Sequence, residues 1–221
     1  MKPIIKEFVE KESSPVSTLR TILLFGRNVS TYKFALADTL LHSPANSILS
    51  YQDLRDSFLK SLFDNYKINP HQYQAGSNTI TRAFDQFTID SDWDKVVPIA
   101  EQNIYNNVFD AFHNIGGSSI KKEYVLFEHD RNKRQITLTD KIHQLIESSD
   151  IAAQLARENQ SRWAVVVEAW KNKLSPNLLV YDNDKNIYSV AHGQKRVNLR
   201  SAVDVLLPYQ HARCFYCNKQ L

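Results

Sequence analysis

Residues 50–70 read SYQDLRDSFLKSLFDNYKINP. Leu54, Phe58, Leu59, Leu62, Phe63 and Tyr66 recur with the 3.6-residue period of a single helix face. Ser50 is placed to cap this helix, and Asp53 puts a carboxylate in its first turn, where the backbone dipole favours negative charge. Asn69-Pro70 stops it, because the residue before a proline is driven out of the α region. An apolar stripe of this length must be buried against other elements, so it reads as core rather than binding surface.

Working outward, the chain stays helical on both sides. Val16, Leu19, Ile22 and Leu23 form a short apolar face that stops near Gly26, and Tyr32, Leu36 and Leu40 repeat at i, i+4, i+8. Residues 78–88 predict another helix. Pro98 suits the first position of the next, with the face Ile104, Tyr105, Val108, Phe109, Phe112 and a stop at Gly116-Gly117. The pattern then changes. Tyr124–Phe127 and Gln135–Leu138 flank the polar turn Asp130–Lys133 as a hairpin, and residues 139–174 return to helix with Trp163, Val166, Val167 and Trp170 on one side. Leu178–Tyr181 and Ile187–Val190 flank Asp182–Asn186 as a second hairpin, and residues 199–210 read as helix. The fold class is therefore α+β, mainly α. A helical N-terminal domain with two small β-hairpins spans residues 1–195, and residues 196–221 form a separate module.

Composition bounds the function. The chain has 221 residues, 43% of them hydrophobic and 23% charged, which is enough to bury a core without disulfides. No run reaches the roughly 20 apolar residues of a membrane span. The first residues, Met1 to Glu7, lack the apolar segment of a secretory leader, so a cytoplasmic, reducing setting is expected and no membrane partner. Net charge is only +3 but unevenly spread. Residues 195–221 hold Lys195, Arg196, Arg200, Arg213 and Lys219 against Asp204 alone. A basic segment of this kind suits a polyanion through counterion release, although each charge taken singly also fits a solvated surface.

Most familiar site patterns are missing. There is no phosphate-binding P-loop, no dinucleotide-binding glycine pattern, no nucleophile elbow and no H-E-x-x-H pair. The seven histidines are scattered, and each reads as a surface or hydrogen-bonded residue. Asp90, Asp92, Asp94 and Glu101 fall at the spacing of calcium-loop ligands, but Lys95 stands where glycine is required and Pro98 interrupts the loop. The simpler reading is an acidic helix start.

The only cysteines are Cys214 and Cys217. In a reducing compartment a C-x-x-C pair serves as a metal or redox site more often than as a structural bridge. A redox role lacks the strand-then-helix context that such motifs use. Two thiolates at this spacing can bind one zinc ion, which needs four ligands, so the pair is a half-site.

The run Lys195-Arg196-Val197-Asn198-Leu199-Arg200-Ser201-Ala202, followed by Tyr209-Gln210, Arg213-Cys214-Phe215-Tyr216-Cys217 and Leu221, resembles the opening of an HNH endonuclease domain. The stretches Leu24–Asn28 and Thr31–Ala37 are similar to helical regions that precede such domains. The resemblance implies phosphodiester hydrolysis of nucleic acid, DNA first among the candidates, by a ββα-metal module. In that family a histidine acts as general base, a divalent cation, commonly Mg²⁺, stabilises the transition state, and cysteine pairs hold a structural zinc. Only Cys214 and Cys217 carry over, as zinc ligands. His211 precedes the knuckle and does not match the base. The family's catalytic histidine, second ligand pair and metal-binding helix would follow Leu221, so the expectation is an N-terminal part that does not cleave by itself. Arg196, Arg200, Arg213 and Lys219 are the candidate phosphate contacts. The alternative is a non-catalytic nucleic-acid- or protein-binding module in which two copies of the chain complete one zinc site.

Overall fold

The computed structural model describes residues 14–26, 28–44, 47–90, 92–115, 118–171, 173, 179–182, 187–190 and 219. Among the described residues, six helices come first: α1 (Pro15–Phe25), α2 (Tyr32–Leu41), α3 (Tyr51–Ile68), α4 (Thr79–Asp90), α5 (Trp93–Asn103) and α6 (Tyr105–Ala111). A short strand, β1 (Ile48–Ser50), precedes α3. After α6 come β2 (Asn114–Ile115), β3 (Ser118–Ser119), a 3₁₀ turn over Lys122–Tyr124, β4 (Phe127–Asp130) and β5 (Gln135–Leu138). Helices α7 (Asp140–Ile146) and α8 (Ser149–Lys171) follow, then β6 (Leu179–Asp182) and β7 (Ile187–Val190). The architecture is α+β and mainly helical.

Helix α2 is the centre. Lys33, Phe34, Ala35, Leu36, Ala37, Thr39, Leu40 and Leu41 are all buried, because α3 and α8 pack on it from different sides. A helix covered nearly all round loses its one-sided pattern. Helix α3 behaves as its stripe predicts, with Leu54, Phe58, Leu59 and Leu62 buried. Its start is a full capping box: the Ser50 side chain accepts from the Asp53 N–H, and the Asp53 carboxylate accepts from the Ser50 N–H at 2.7 Å. Phe63 and Tyr66 gather Phe84, Phe87 and Trp93 into an aromatic cluster that fixes α4 and α5. Arg20 grips Glu158 through two bonds of 2.7 and 2.6 Å, tying α1 to α8.

β1, β5 and β4 form a three-stranded antiparallel sheet in that order, pairing Leu49 with Ile136 and His129 with Ile136. The sequence pattern missed β1, which is too short to show a period. Strand β4 begins at Phe127 rather than Tyr124. The carbonyls of Val125 and Leu126 accept from the Thr139 hydroxyl, and the Leu126 N–H is bound by His113 Nε2 at 3.0 Å, so this backbone is already committed. The long helix expected over 139–174 is two helices, the second started by Ser148, whose carbonyl accepts from Ala152 N–H. Pro98 lies inside α5 and does not begin a helix. Asp92 caps α5 upstream, accepting from Asp94 N–H, and the chain breaks at Ile104 before α6. β2 and β3 pair across positions 116–117 instead of closing a helix there. The second expected hairpin is present as β6 and β7, paired Leu179 with Val190 and Asp182 with Ile187. The helix expected over 199–210 and the module over 196–221 lie outside the described residues, Lys219 excepted.

Candidate functional site

Cys214, Cys217, Arg196, Arg200 and Arg213 lie outside the described residues, and Lys219 is exposed. No group of three or more His, Cys, Asp or Glu gathers for a metal ion among the described residues. The calcium pattern dissolves into local structure. Asp92 caps α5 and pairs with Lys95 at 3.2 Å, while Glu101 turns away to Arg134 at 3.0 Å. Among the described residues, no helix is long and apolar enough to cross a membrane.

A cleft of about 580 Å³ lies where the start of α3, the α5–α6 corner and the β4–β5 turn meet, and Tyr51, Pro98, Glu101, Gln102, Asn106, Arg131 and Arg134 are among its lining residues. Each wall has a local cause. Tyr51 is the first residue of α3, and its N–H, which has no partner within the helix, donates to the Arg134 carbonyl at 2.9 Å. Its ring packs against Tyr105 and Phe109 at centroid distances of 5.4 and 5.1 Å, leaving Tyr51 only 4% exposed. The β4–β5 turn is held by Asp130, whose carboxylate accepts from the N–H groups of Asn132 and Lys133, both at 3.1 Å. Arg134 closes that turn at φ +51°, a left-handed conformation that glycine adopts at least cost. It carries its guanidinium over the Tyr51 ring, 5.5 Å from the centroid.

Behind Tyr51 runs a polar chain. The hydroxyl donates to Asn106 Oδ1 at 2.6 Å and meets His129 Nε2 at 2.5 Å; His129 Nδ1 bonds Asp110 Oδ1 at 2.7 Å. The other Asp110 oxygen takes the Arg131 guanidinium. A phenol has one hydrogen to give. The hydroxyl oxygen also meets the imidazole of His129, which links it to Asp110. Burial pushes the Asp110 carboxyl up, but the hydrogen bonds from His129 and Arg131 outweigh it and hold the group below the usual carboxylate value. Burial, helped by the Asp110 charge, pushes the Tyr51 phenol up, so it stays protonated.

The outcome is a cleft that presents donors from Arg131 and Arg134 beside carboxylates drawn into ion pairs with them. Both Asp110 oxygens and one Glu101 oxygen are engaged. The Asn106 amide is fixed by its oxygen, which accepts from the Tyr51 hydroxyl. Arg131 and Arg134 each spend one terminal nitrogen on a carboxylate and keep most of their N–H donors. None of this was visible in sequence, because Tyr51, Asn106, His129 and Arg134 share no local spacing. The one available signal was the basic turn Arg131-Asn132-Lys133-Arg134. His113 is buried and His129 partly buried, and both are hydrogen-bonded.

No protein-family model, no curated protein and no solved structure matches this chain.

Proposed function

We propose that the chain is the N-terminal, nucleic-acid-contacting part of an HNH-type endonuclease, a metal-dependent phosphodiester hydrolase. The observation that carries this reading is the run Arg213-Cys214-Phe215-Tyr216-Cys217 behind the basic stretch Lys195–Arg200. Two thiolates at that spacing fit half of zinc's tetrahedral ligand set, and the following part of the module would supply the other half. Such a zinc ion organises the hairpin and helix on which HNH chemistry is built, and a separate divalent cation stabilises charge on the phosphate. Residues 1–195 serve as the platform that sets this module against its substrate. Arg196, Arg200, Arg213 and Lys219 would position a DNA backbone without reading its sequence. The exposure of Lys219 supports that role.

The test is binding of a fluorescent DNA duplex by the 221-residue chain over a range of salt concentrations. Affinity is expected to fall steeply with salt. Replacing Arg196, Arg200 and Arg213 together with alanine is expected to flatten the logarithmic slope by about one for each phosphate that is no longer neutralised. Binding that ignores both salt and these substitutions removes the reading.

A further inference from the structure

We propose that the cleft between Tyr51, Asn106, Arg131 and Arg134 is a binding site for the phosphate group of an organic phosphate ester. This does not rest on the nuclease reading, which is carried by other residues.

Donors and acceptors decide what the cleft can hold. An oxyanion needs several donors converging from fixed positions and few unsatisfied acceptors beside them. Asp110 is occupied on both oxygens, by His129 and Arg131, and Glu101 is engaged by Arg134. What the cleft presents is two guanidiniums, with Asn106, whose oxygen accepts from Tyr51 at 2.6 Å, on the same lining. The polar chain behind Tyr51 therefore acts at a distance. It fixes which way the amide faces and anchors Arg131 through their shared carboxylate.

Arg134 points the same way. A glycine or asparagine would occupy its φ of +51° at less cost, yet the position carries an arginine aimed over Tyr51 into the cleft. Its pair with Glu101 is half exposed on the arginine side, at 58%, and pairs of this kind contribute little. The guanidinium can therefore turn a second edge to a phosphate at small cost. The volume, about 580 Å³, exceeds what a bare phosphate fills, and Pro98 and Ile99 give one wall an apolar surface for the organic part of the ester.

The experiment is calorimetric titration of the 221-residue chain with inorganic phosphate, with a nucleoside 5′-monophosphate and with a short DNA duplex. Arg134→Gly is the decisive variant, because glycine accepts the left-handed backbone and the fold should survive. Arg131→Gln is the second, and circular dichroism checks both. The expectation is that phosphate and the nucleotide compete for one site, the nucleotide binding more tightly, and that each variant weakens both by roughly tenfold, as removal of a charged bidentate partner implies. If the duplex displaces the nucleotide, the phosphate recognised is that of a nucleic-acid backbone; if it does not, a free ester is the ligand. Absence of binding by phosphate and nucleotide at millimolar concentration overturns the proposal. So does unchanged affinity in folded Arg134→Gly and Arg131→Gln.

Discussion

Two buried basic side chains, Lys33 and His113, contribute to the pH response. Lys33 is 6% exposed and donates from Nζ to the Asn114 carbonyl at 2.9 Å; burial lowers it from 10.5 to about 8. His113 accepts the Leu126 N–H on Nε2; burial, with the Lys33 charge adding, lowers it from 6.5 to about 3. Between about 3 and 6.5 the unfolded chain alone takes the imidazole proton, so stability falls as pH drops through that window. Between about 8 and 10.5 the unfolded chain alone keeps the Lys33 proton, so stability rises with pH there. Above 10 partly buried Tyr32 and buried Tyr66 act together against further gain, because both are pushed up to about 12 in the fold and only the unfolded chain ionises. Urea unfolding at stepped pH should show a rise between pH 8 and 10 of at most about 1.4 kcal/mol per unit, and Lys33→Met should abolish it. An unchanged rise in that variant would assign the effect elsewhere. Arg134→Gly belongs to the same scale. It relieves about 1 kcal/mol of left-handed strain and gives up an exposed ion pair and the packing over the Tyr51 ring, so its midpoint in urea should stay close to that of the parent.

At the level of elements, the helices with strong one-sided periods were legible and the short pieces were not. The Leu54–Tyr66 stripe gave α3 with its cap and its stop, because period, N-cap and proline agree there. Ser50→Ala removes one half of the capping box and should cost about 1 kcal/mol in a chemical denaturation curve; a change within error would mean that packing alone fixes the start of α3. The sequence reading failed where a partner far along the chain takes the backbone. β1 exists because β5 pairs with it, and Val125–Leu126 leave the strand because Thr139 and His113 bind them. The error at Pro98 has another origin. Asp92 provides an earlier helix start, and the aromatic contacts of Trp93 hold it. The cleft was unreadable for the same reason as β1, since 78 residues separate Tyr51 from its His129 partner.

Across the whole molecule, one buried amide links the start of α2 to α8. Gln72 is 1% exposed. Its oxygen accepts from the Thr31 hydroxyl at 2.7 Å and from Trp163 Nε1 at 2.8 Å, while its nitrogen donates to the carbonyls of Asn69 and Asn65. Nearby, Asn159 donates to the Phe34 carbonyl at 2.9 Å, so α2 and α8 share polar as well as apolar contacts. Gln72→Leu keeps the bulk but strands the Thr31 and Trp163 donors and the Asn69 carbonyl, at a cost of roughly 2–4 kcal/mol. Thermal and urea unfolding should show that destabilisation as one cooperative transition. A near-neutral result would mean that the network is dispensable to the fold.

The central claim is that Cys214 and Cys217 open an HNH nuclease module. Its most direct test is to purify the product of the intact gene, measure its zinc content, and assay nicking of plasmid DNA with Mg²⁺, beside the double variant Cys214→Ser, Cys217→Ser. The account predicts one zinc ion per chain, completed by a second ligand pair, and Mg²⁺-dependent nicking; the variant should lose both. A folded product without nicking contradicts it. If such a product holds half a zinc ion per chain in a metal-dependent dimer, the protein is a zinc-bridged binding module.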